Sequence, residues 1–490
     1  MKQDISYTYS KNLFDRLSKI TIDGVSIHTY FEHEGFDYWQ FYKQRIFEDI
    51  KVFSRAKSEV EIVKTPLGVQ LKDFVVNSIL LMSSLVTFFS IVLQRKQILV
   101  YAIDRVHKPF ESDFRLNALY RFLNENNLVY SELFHTVLGQ QALSNLYTRK
   151  RLAMYLEAGD WLHHVLTSCG LVKSFNRNSI RSIDLTSFEV AEQGFVKALI
   201  MKYARQVYVS HFKIRLMSRL FRLSRLKVLF AIDDARYYYE ILHAARCAGV
   251  ATYALQHGHF TKYHVGWLRT EEQVGTVVFP AKLLVWSSYW KNELVRLGSA
   301  IPEDLIQVGG EKSAMGGEEI QRSSVKIITV LIPYETSCPK TEVAHYINRM
   351  LACPNVRVVF KLRQDIERMT QLTEYGLETV NHERFIVVTE IADIIGGVDI
   401  VAGVYSTFLY EMIAYGKQVV ILETSSDYGE GLHINELADV LRSGDNIGDA
   451  LIRIQQVSND IIQKRKQKLL GDRLLLQDTL IDIARQNKLL

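Results

Sequence analysis

Of 490 residues, only four are cysteine and seven are proline. The cysteines (Cys169, Cys247, Cys338, Cys353) stand far apart and form no C-x-x-C pair. That argues against a disulfide framework and a thiolate zinc site, and fits a reducing cytoplasm. So few prolines, with no Ser/Gly/Pro-rich tract, argue against long disordered linkers. Charge of one sign is also scarce: the formal net charge is +5, too small for this length to suggest a nucleic-acid partner. The N-terminus "MKQDISYTYSKN" has no apolar core, so no secretory signal is expected. There is no G-x-G-x-x-G after a strand, no G-x-x-x-x-G-K-[ST] and no H-E-x-x-H, which removes the common dinucleotide, P-loop and zincin fingerprints. No repeat of 20–50 residues is visible.

What is present is an ordinary globular composition, 48% hydrophobic and 23% charged, in a chain longer than one core usually organises. From Gln97 onward, short apolar runs alternate with amphipathic segments, the pattern of α/β units around parallel sheets. "QILVYAI", "LVYSELF", "LKVLFAI", "ATYALQ" and "AKLLVWS" read as strands of a first domain, 97–308, with helices at about Ala142–Ser168 and Glu192–Leu226. "GGEKSAMGGEEIQRSS" (309–324) has no hydrophobic periodicity and reads as a linker. Five Val/Ile-rich runs then make a second domain, 325–470: "VKIITVLIP", "VRVVFKL", "RFIVVTE", "VDIVAGV" and "KQVVILE". Their lack of polar alternation suits strands covered on both faces. The expected fold is α/β, two Rossmann-like doubly wound domains facing a cleft, with an N-terminal extension (1–96) and a C-terminal helix (471–490).

One long apolar run stands out in the extension. "FVVNSILLMSSLVTFFSIVL" (Phe74–Leu93) has twenty residues without a charge, six of them Asn, Ser or Thr. Its length would span a bilayer, but the polar content and the strand that follows favour a buried or membrane-surface helix.

The richest segment is "VDIVAGVYSTFLYEMIAYGKQVVIL". A buried strand runs through a turn into a helix that stops at Gly416. In open α/β sheets, ligands bind at the carboxyl ends of strands, where helix N-termini present free N–H groups. Ser406 and Thr407 therefore stand where hydroxyls and amides could hold a phosphate, and Glu411, one turn on, could accept from a ribose or sugar hydroxyl. A simple N-cap with a solvated glutamate would look the same.

This segment resembles the nucleotide-binding strand–turn–helix of GT-B glycosyltransferases that build bacterial surface carbohydrates. The group includes Kdo transferases, polysialyltransferase-like capsule enzymes and, distantly, CDP-glycerol glycerophosphotransferases. Its pattern is matched by Asp399, Val401, Ser406, Thr407, Glu411, Gly416, Lys417 and Val419, with Gln418 where proline is usual. "VLFAIDDARYYYEILHAARCAGVATYALQHG" is similar to the last βαβ unit of the family's acceptor domain. "AKLLVWSSYWKNELVRLG" with "IQVGG" is similar to the crossover into the donor domain. In "VRVVFKLRQD", Arg363 and Gln364 replace a His-Pro pair whose histidine contacts nucleotide phosphate in the sialyl- and Kdo-transferring relatives.

The resemblance implies transfer of a sugar from a nucleotide-activated donor, CMP-linked in the nearest groups, to a glycan or lipid-linked glycan acceptor. The setting would be lipopolysaccharide, O-antigen or capsule biosynthesis, with a cytoplasmic enzyme, peripheral at the inner membrane, and no resident cofactor or metal. The leaving phosphate would be met by Lys361, Arg363, Ser406 and Thr407. Glu335, at another strand end, would touch sugar or ribose, or be a plain surface carboxylate. For the acceptor's base, Asp233 and Asp234 follow a buried strand directly, one of them capping the next helix. An aspartate is favoured as base, with His257 as a rival or as a phosphate or acceptor contact.

Four of the fourteen histidines lie in or near "YALQHGHFTKYH". Without thiolate or carboxylate help at fixed spacing they read as one cleft residue, His257, with His259 and His264 as bystanders. Gly258 is expected to turn the backbone at positive φ. A stretch with nine Lys/Arg and no Asp/Glu, Gln193–Ile232, offers a basic helix (197–227) as an alternative membrane contact to 74–93. Two other readings share the fold: a non-hydrolysing nucleotide-sugar epimerase, and an inactive scaffold of a polysaccharide assembly complex.

Overall fold

The computed structural model describes residues 7–56, 67–136, 139–173, 175–176, 180–233, 238–270, 277–310, 327–336, 338–364, 366–471 and 475–490. Two parallel sheets organise them. The first contains β1 (Ile98–Ile103), β2 (Tyr130–His135), β3 (Met154–Tyr155), β4 (Val228–Ile232), β5 (Ala251–Leu255), β6 (Lys282–Val285) and β7 (Ile306–Val308). Their order is β7-β6-β5-β4-β1-β2-β3. The second contains β8 (Ile328–Pro333), β9 (Val356–Lys361), β10 (Phe385–Val388), β11 (Ile400–Gly403), β12 (Gln418–Leu422) and β13 (Asp439–Leu441), in the order β10-β9-β8-β11-β12-β13. The chain reverses its winding between β1 and β4 in one sheet and between β8 and β11 in the other. Crevices open at such points, outside the carboxyl ends of the strands. This is the GT-B arrangement of two Rossmann-like domains.

Each central strand buries both faces, as its unbroken apolar run requires. In β1, Leu99 and Tyr101 join one hydrophobic cluster while Ile98, Val100 and Ala102 join the other. The alternation is the period of two expected of an extended chain.

Eight helices matter below: α1 (Tyr38–Ala56), α2 (Leu67–Leu93), α3 (Val190–Ser224), α4 (Tyr238–Cys247), α5 (Ser288–Arg296), α6 (Thr407–Ala414), α7 (Asn459–Leu470) and α8 (Leu476–Gln486). The N-terminal segment is built into the first domain. Trp39, Tyr42 and Ile46 of α1 share one core with Tyr203 and Ile214 of α3 and with Ile241 of α4. The last helix returns to that domain: α8 packs on the helix Asn117–Glu125, and Asn487 Nδ2 donates to Tyr253 Oη at 3.1 Å.

One expectation changes, and three short edge strands are added. The helix read over Ala142–Ser168 is two helices, Gly139–Arg149 and Glu157–Ser168, parted by β3. Two residues sufficed to add an edge strand there, too short a run for periodicity to reveal. The strands β7 and β13 were likewise hidden by their three-residue length. The basic helix α3 turns Ile214, Met217 and Phe221 into the core, while Leu223 is 66% exposed and Arg215, Arg219 and Arg222 are exposed beside it. The linker read at 309–324 falls, apart from Gly309 and Gly310, outside the described residues.

Candidate active site

Adjacent strands β4 and β5 end together at the cleft. Asp233 follows β4 and His257 lies two residues beyond β5. Asp233 Oδ1 accepts the His257 backbone N–H at 2.7 Å and also pairs with the ring Nδ1. The aspartate is 2% exposed, whereas the histidine side chain is 31% exposed. Burial pushes the Asp233 carboxyl up; the His257 charge and hydrogen bonds, and the charge of Arg115, pull it back. The contact with Asp233 fixes the plane and tautomer of the ring at the end of β5. Asp233 thus lies behind His257, which is the more exposed of the two. Asp234 lies outside the described residues.

Gly258 is not at positive φ, and a Cβ built on it would meet nothing within 4 Å. The turn after β5 is made by ordinary backbone, held by Gln256 Nε2 donating to Gly258 O at 2.7 Å; the left-handed expectation was wrong.

The histidine group divides in three. His243 sits on α4 with its ring 3.7 Å from that of Phe36, and burial lowers it to about 4. It has no part in the cleft contacts described here. His259 is no bystander. It is 7% exposed, its Nδ1 lies 3.2 Å from Thr407 Oγ1 in the other domain, and its ring stacks on Tyr410 at 5.6 Å. His264 approaches both His259 and Tyr428, and burial keeps it well below the usual imidazole range. Further interdomain contacts flank this junction: Lys262 Nζ donates to Asp427 Oδ2 at 2.6 Å, and the rings of Tyr263 and Tyr428 stack at 5.5 Å.

Across the cleft, the turn between β11 and α6 forms a concave array of backbone amides. It is filled by the protein itself. Glu335 Oε1 accepts from the N–H groups of Val404, Tyr405 and Ser406 at 3.2, 3.0 and 2.7 Å, and Oε2 accepts from Val404 at 3.1 Å. Glu335 is 4% exposed, so it is neither a sugar contact nor a surface carboxylate. Burial raises its carboxyl to about 7 against the pull of those amides. Ser406 is the N-cap of α6: its Oγ accepts from Phe408 N at 3.2 Å. Its own N–H and its capping oxygen are thus engaged inside the protein, against the expectation that both would meet phosphate. Gly429 closes the arrangement from behind; a Cβ there would stand 1.8 Å from Val404 O.

Other motif positions divide by role. Asp399 Oδ2 accepts from Thr329 N at 2.8 Å, and Lys417 Nζ donates to Val398 O at 2.7 Å; both tie the sheet together. Gly416, at φ +88°, ends α6 in a conformation that glycine adopts without strain. Lys361, ending β9, lies with Nζ 5.3 Å from the Phe408 ring, which brings its charge to the first turn of α6. Arg363 follows two residues later, its backbone clamped by Gln371 at 2.8 and 2.9 Å. Glu411 is half-buried, one turn after Thr407 and so on the same stripe of α6. The His-and-carboxylate grouping with metal-like spacing is His33, Glu34 and His211. It is built on a ribbon and α3 rather than on the strand ends, and Arg215 donates to Glu34 Oε1 at 2.6 Å.

Sequence reasoning missed His259. The H-x-H spacing named it but could not show that a second domain covers it.

No protein-family model matches the chain, and no curated protein does. Solved structures do. The calicheamicin glycosyltransferase CalG4 is 11% identical, with a TM-score of 0.47, over 80% of this chain and 98% of that one. MurG of Acinetobacter baumannii is 8% identical, TM-score 0.46, over 80% and 99%. A UDP-N-acetylglucosamine 2-epimerase of Listeria monocytogenes, described as putative, is 8% identical, TM-score 0.45, over 80% and 97%.

Proposed function

We propose that this chain is a glycosyltransferase that moves a sugar from a nucleotide-activated donor to a glycan or lipid-linked glycan acceptor, in bacterial surface-polysaccharide synthesis at the cytoplasmic side of a membrane. The observation that carries the reading is the Asp233–His257 pair at one strand end, two residues before His259, whose Nδ1 lies 3.2 Å from Thr407 Oγ1 of the other domain.

In this reading His257 Nε2 takes the proton of the acceptor hydroxyl as its oxygen bonds to the anomeric carbon. The carbon–oxygen bond to the donor phosphate breaks, and the electron pair leaves with the nucleotide. Asp233 fixes the ring tautomer and stabilises the imidazolium formed, in a site where burial strengthens the attraction. Lys361 and Arg363 meet the charge on the departing phosphate; arginine suits this because its planar fork binds two oxygens and stays charged. Thr407 and Glu411 offer hydroxyl and carboxylate groups to ribose or sugar. The filled amide array moves the phosphate-binding task from the turn's backbone to these side chains.

A thermal-shift panel of CMP, CDP, UDP, GDP and dTDP tests this. The expected result is saturable stabilisation by one nucleotide family, CMP first among them, weakened at least tenfold in Lys361→Ala and Arg363→Ala. No shift with any nucleotide, or a shift unchanged in both variants, would contradict the reading.

A further inference from the structure

Helix α2 buries Val76, Leu80 and Ile91 but leaves more apolar residues in water than it covers. Surface helices turn apolar residues inward and polar ones to water. Here Ser83, Ser84 and Thr87 are buried. Ser83 Oγ donates to Ala153 O at 2.9 Å, and Ser84 Oγ accepts from Tyr155 N at 2.9 Å. The serines thus dock α2 on β3 and the residue before it. Outward face Val75, Ile79, Met82, Val86, Phe89 and Leu93, each between 40% and 81% exposed. Their steps of four and three residues make one continuous stripe along about five turns. The stretch Phe74–Leu93 has a mean hydropathy of 2.1, and only 28% of it is buried. A contiguous apolar face of this length in water marks an interaction surface.

Two occupants suit such a stripe, a lipid surface and a second copy of the helix. A helix pair of the coiled-coil kind is flanked by charged residues that set register and partner. In α2 the flanking positions are Val76, Ser83 and Ser90 on one side and Ser78, Leu85 and Val92 on the other, with no charge among them. Val76 and Ser83 are also buried in the chain's own domain. On the open side the apolar surface widens, with Leu85 and Phe74 43% and 54% exposed. Exposed cations lie close by: Arg95 just past the helix end, and Lys150 in the turn leading into β3. An apolar face broader than a seam, with an exposed cation past its own end and another past the end of the helix Gly139–Arg149 that packs on it, fits an anionic lipid surface.

We propose that α2 lies flat on a bilayer, with its outer stripe in the lipid interface and its serine face on the protein. Being docked along its length, it rests on the membrane instead of crossing it. This deepens the membrane setting of the proposed function by naming the surface that makes the contact, and it does not depend on the cleft chemistry.

The experiment is co-sedimentation of the full chain with vesicles of phosphatidylcholine and phosphatidylglycerol. Wild type is expected to pellet with the vesicles. Met82→Glu/Phe89→Glu should bind at least tenfold more weakly while its thermal unfolding and nucleotide response stay unchanged, since both side chains are exposed. Phe89→Trp should show blue-shifted emission on adding vesicles. Absence of vesicle binding by wild type, equal binding by the double variant, or an unshifted Phe89→Trp emission would each overturn the proposal. So would a dimer in light scattering that the double variant converts to monomer without any vesicle binding. Because neither readout uses turnover, failure here is distinct from failure of the transferase reading.

Discussion

Two buried carboxylates, Asp233 and Glu335, stand one in each domain, each just beyond a central parallel strand. Their partners differ. Asp233 holds one side chain, His257, that is itself partly open to solvent. Glu335 fills a concave array of three backbone N–H groups, those of Val404, Tyr405 and Ser406. The first arrangement presents an oriented imidazole to the cleft; the second removes an anion site from it. A carboxylate at the end of a strand can thus either arm a site or close one, and what decides is whether its neighbours offer a side chain or bare amides.

The comparison can be broken from its catalytic side first. His257→Ala should lower turnover by about 10³-fold, within the range for a positioned base, and leave the nucleotide-induced thermal shift intact. Loss of the shift together with turnover would mean that His257 binds donor instead.

Glu335 gives the next largest effect, on stability. Its carboxyl is raised from 4.5 to about 7, so between those values the folded state holds a proton that the unfolded state has released. Stability from this group is complete below pH 4.5 and is lost as pH rises through 7, by about 3 kcal/mol in all. Glu335→Gln keeps an oxygen for the amides without the charge, and should flatten that part of the stability–pH curve. An unchanged curve in denaturant titrations would show that the carboxylate is not the titrating group.

Asp233→Asn should cost about 10²-fold in turnover, because the imidazole keeps a neighbour but loses its counter-charge. The pH–rate profile should shift with it, which a purely structural defect would not do. Smallest is Thr407→Val, which removes the His259 contact. About 1 kcal/mol of stability is expected to go, read from the unfolding midpoint, with a weaker nucleotide response.

How much of this could be read beforehand follows the same division. The long Val/Ile runs gave both sheets and the cleft, because a strand buried on two faces has no other composition. The strand–turn–helix around Ser406 was also legible, since Gly416 and the alternation of apolar segments fix it locally. What stayed hidden depended on distance in sequence. Glu335 fills a turn some seventy residues away, and His259 meets Thr407 across 148 positions. Gly258 misled because glycine permits positive φ without requiring it. The buried polar residues of α2 were half-visible: its run holds six Asn, Ser or Thr, but only packing shows that Ser83, Ser84 and Thr87 face inward.

The most direct test of the central claim, that donor phosphate is met by side chains of the second domain opposite His257, is amide hydrogen exchange with and without the most stabilising nucleotide. Protection is expected over Lys361–Gln364 and Thr407–Glu411, with little change at the amides of Val404 and Tyr405, already bonded to Glu335. Strong new protection at those two amides, or protection confined to segments outside the cleft, would contradict the account.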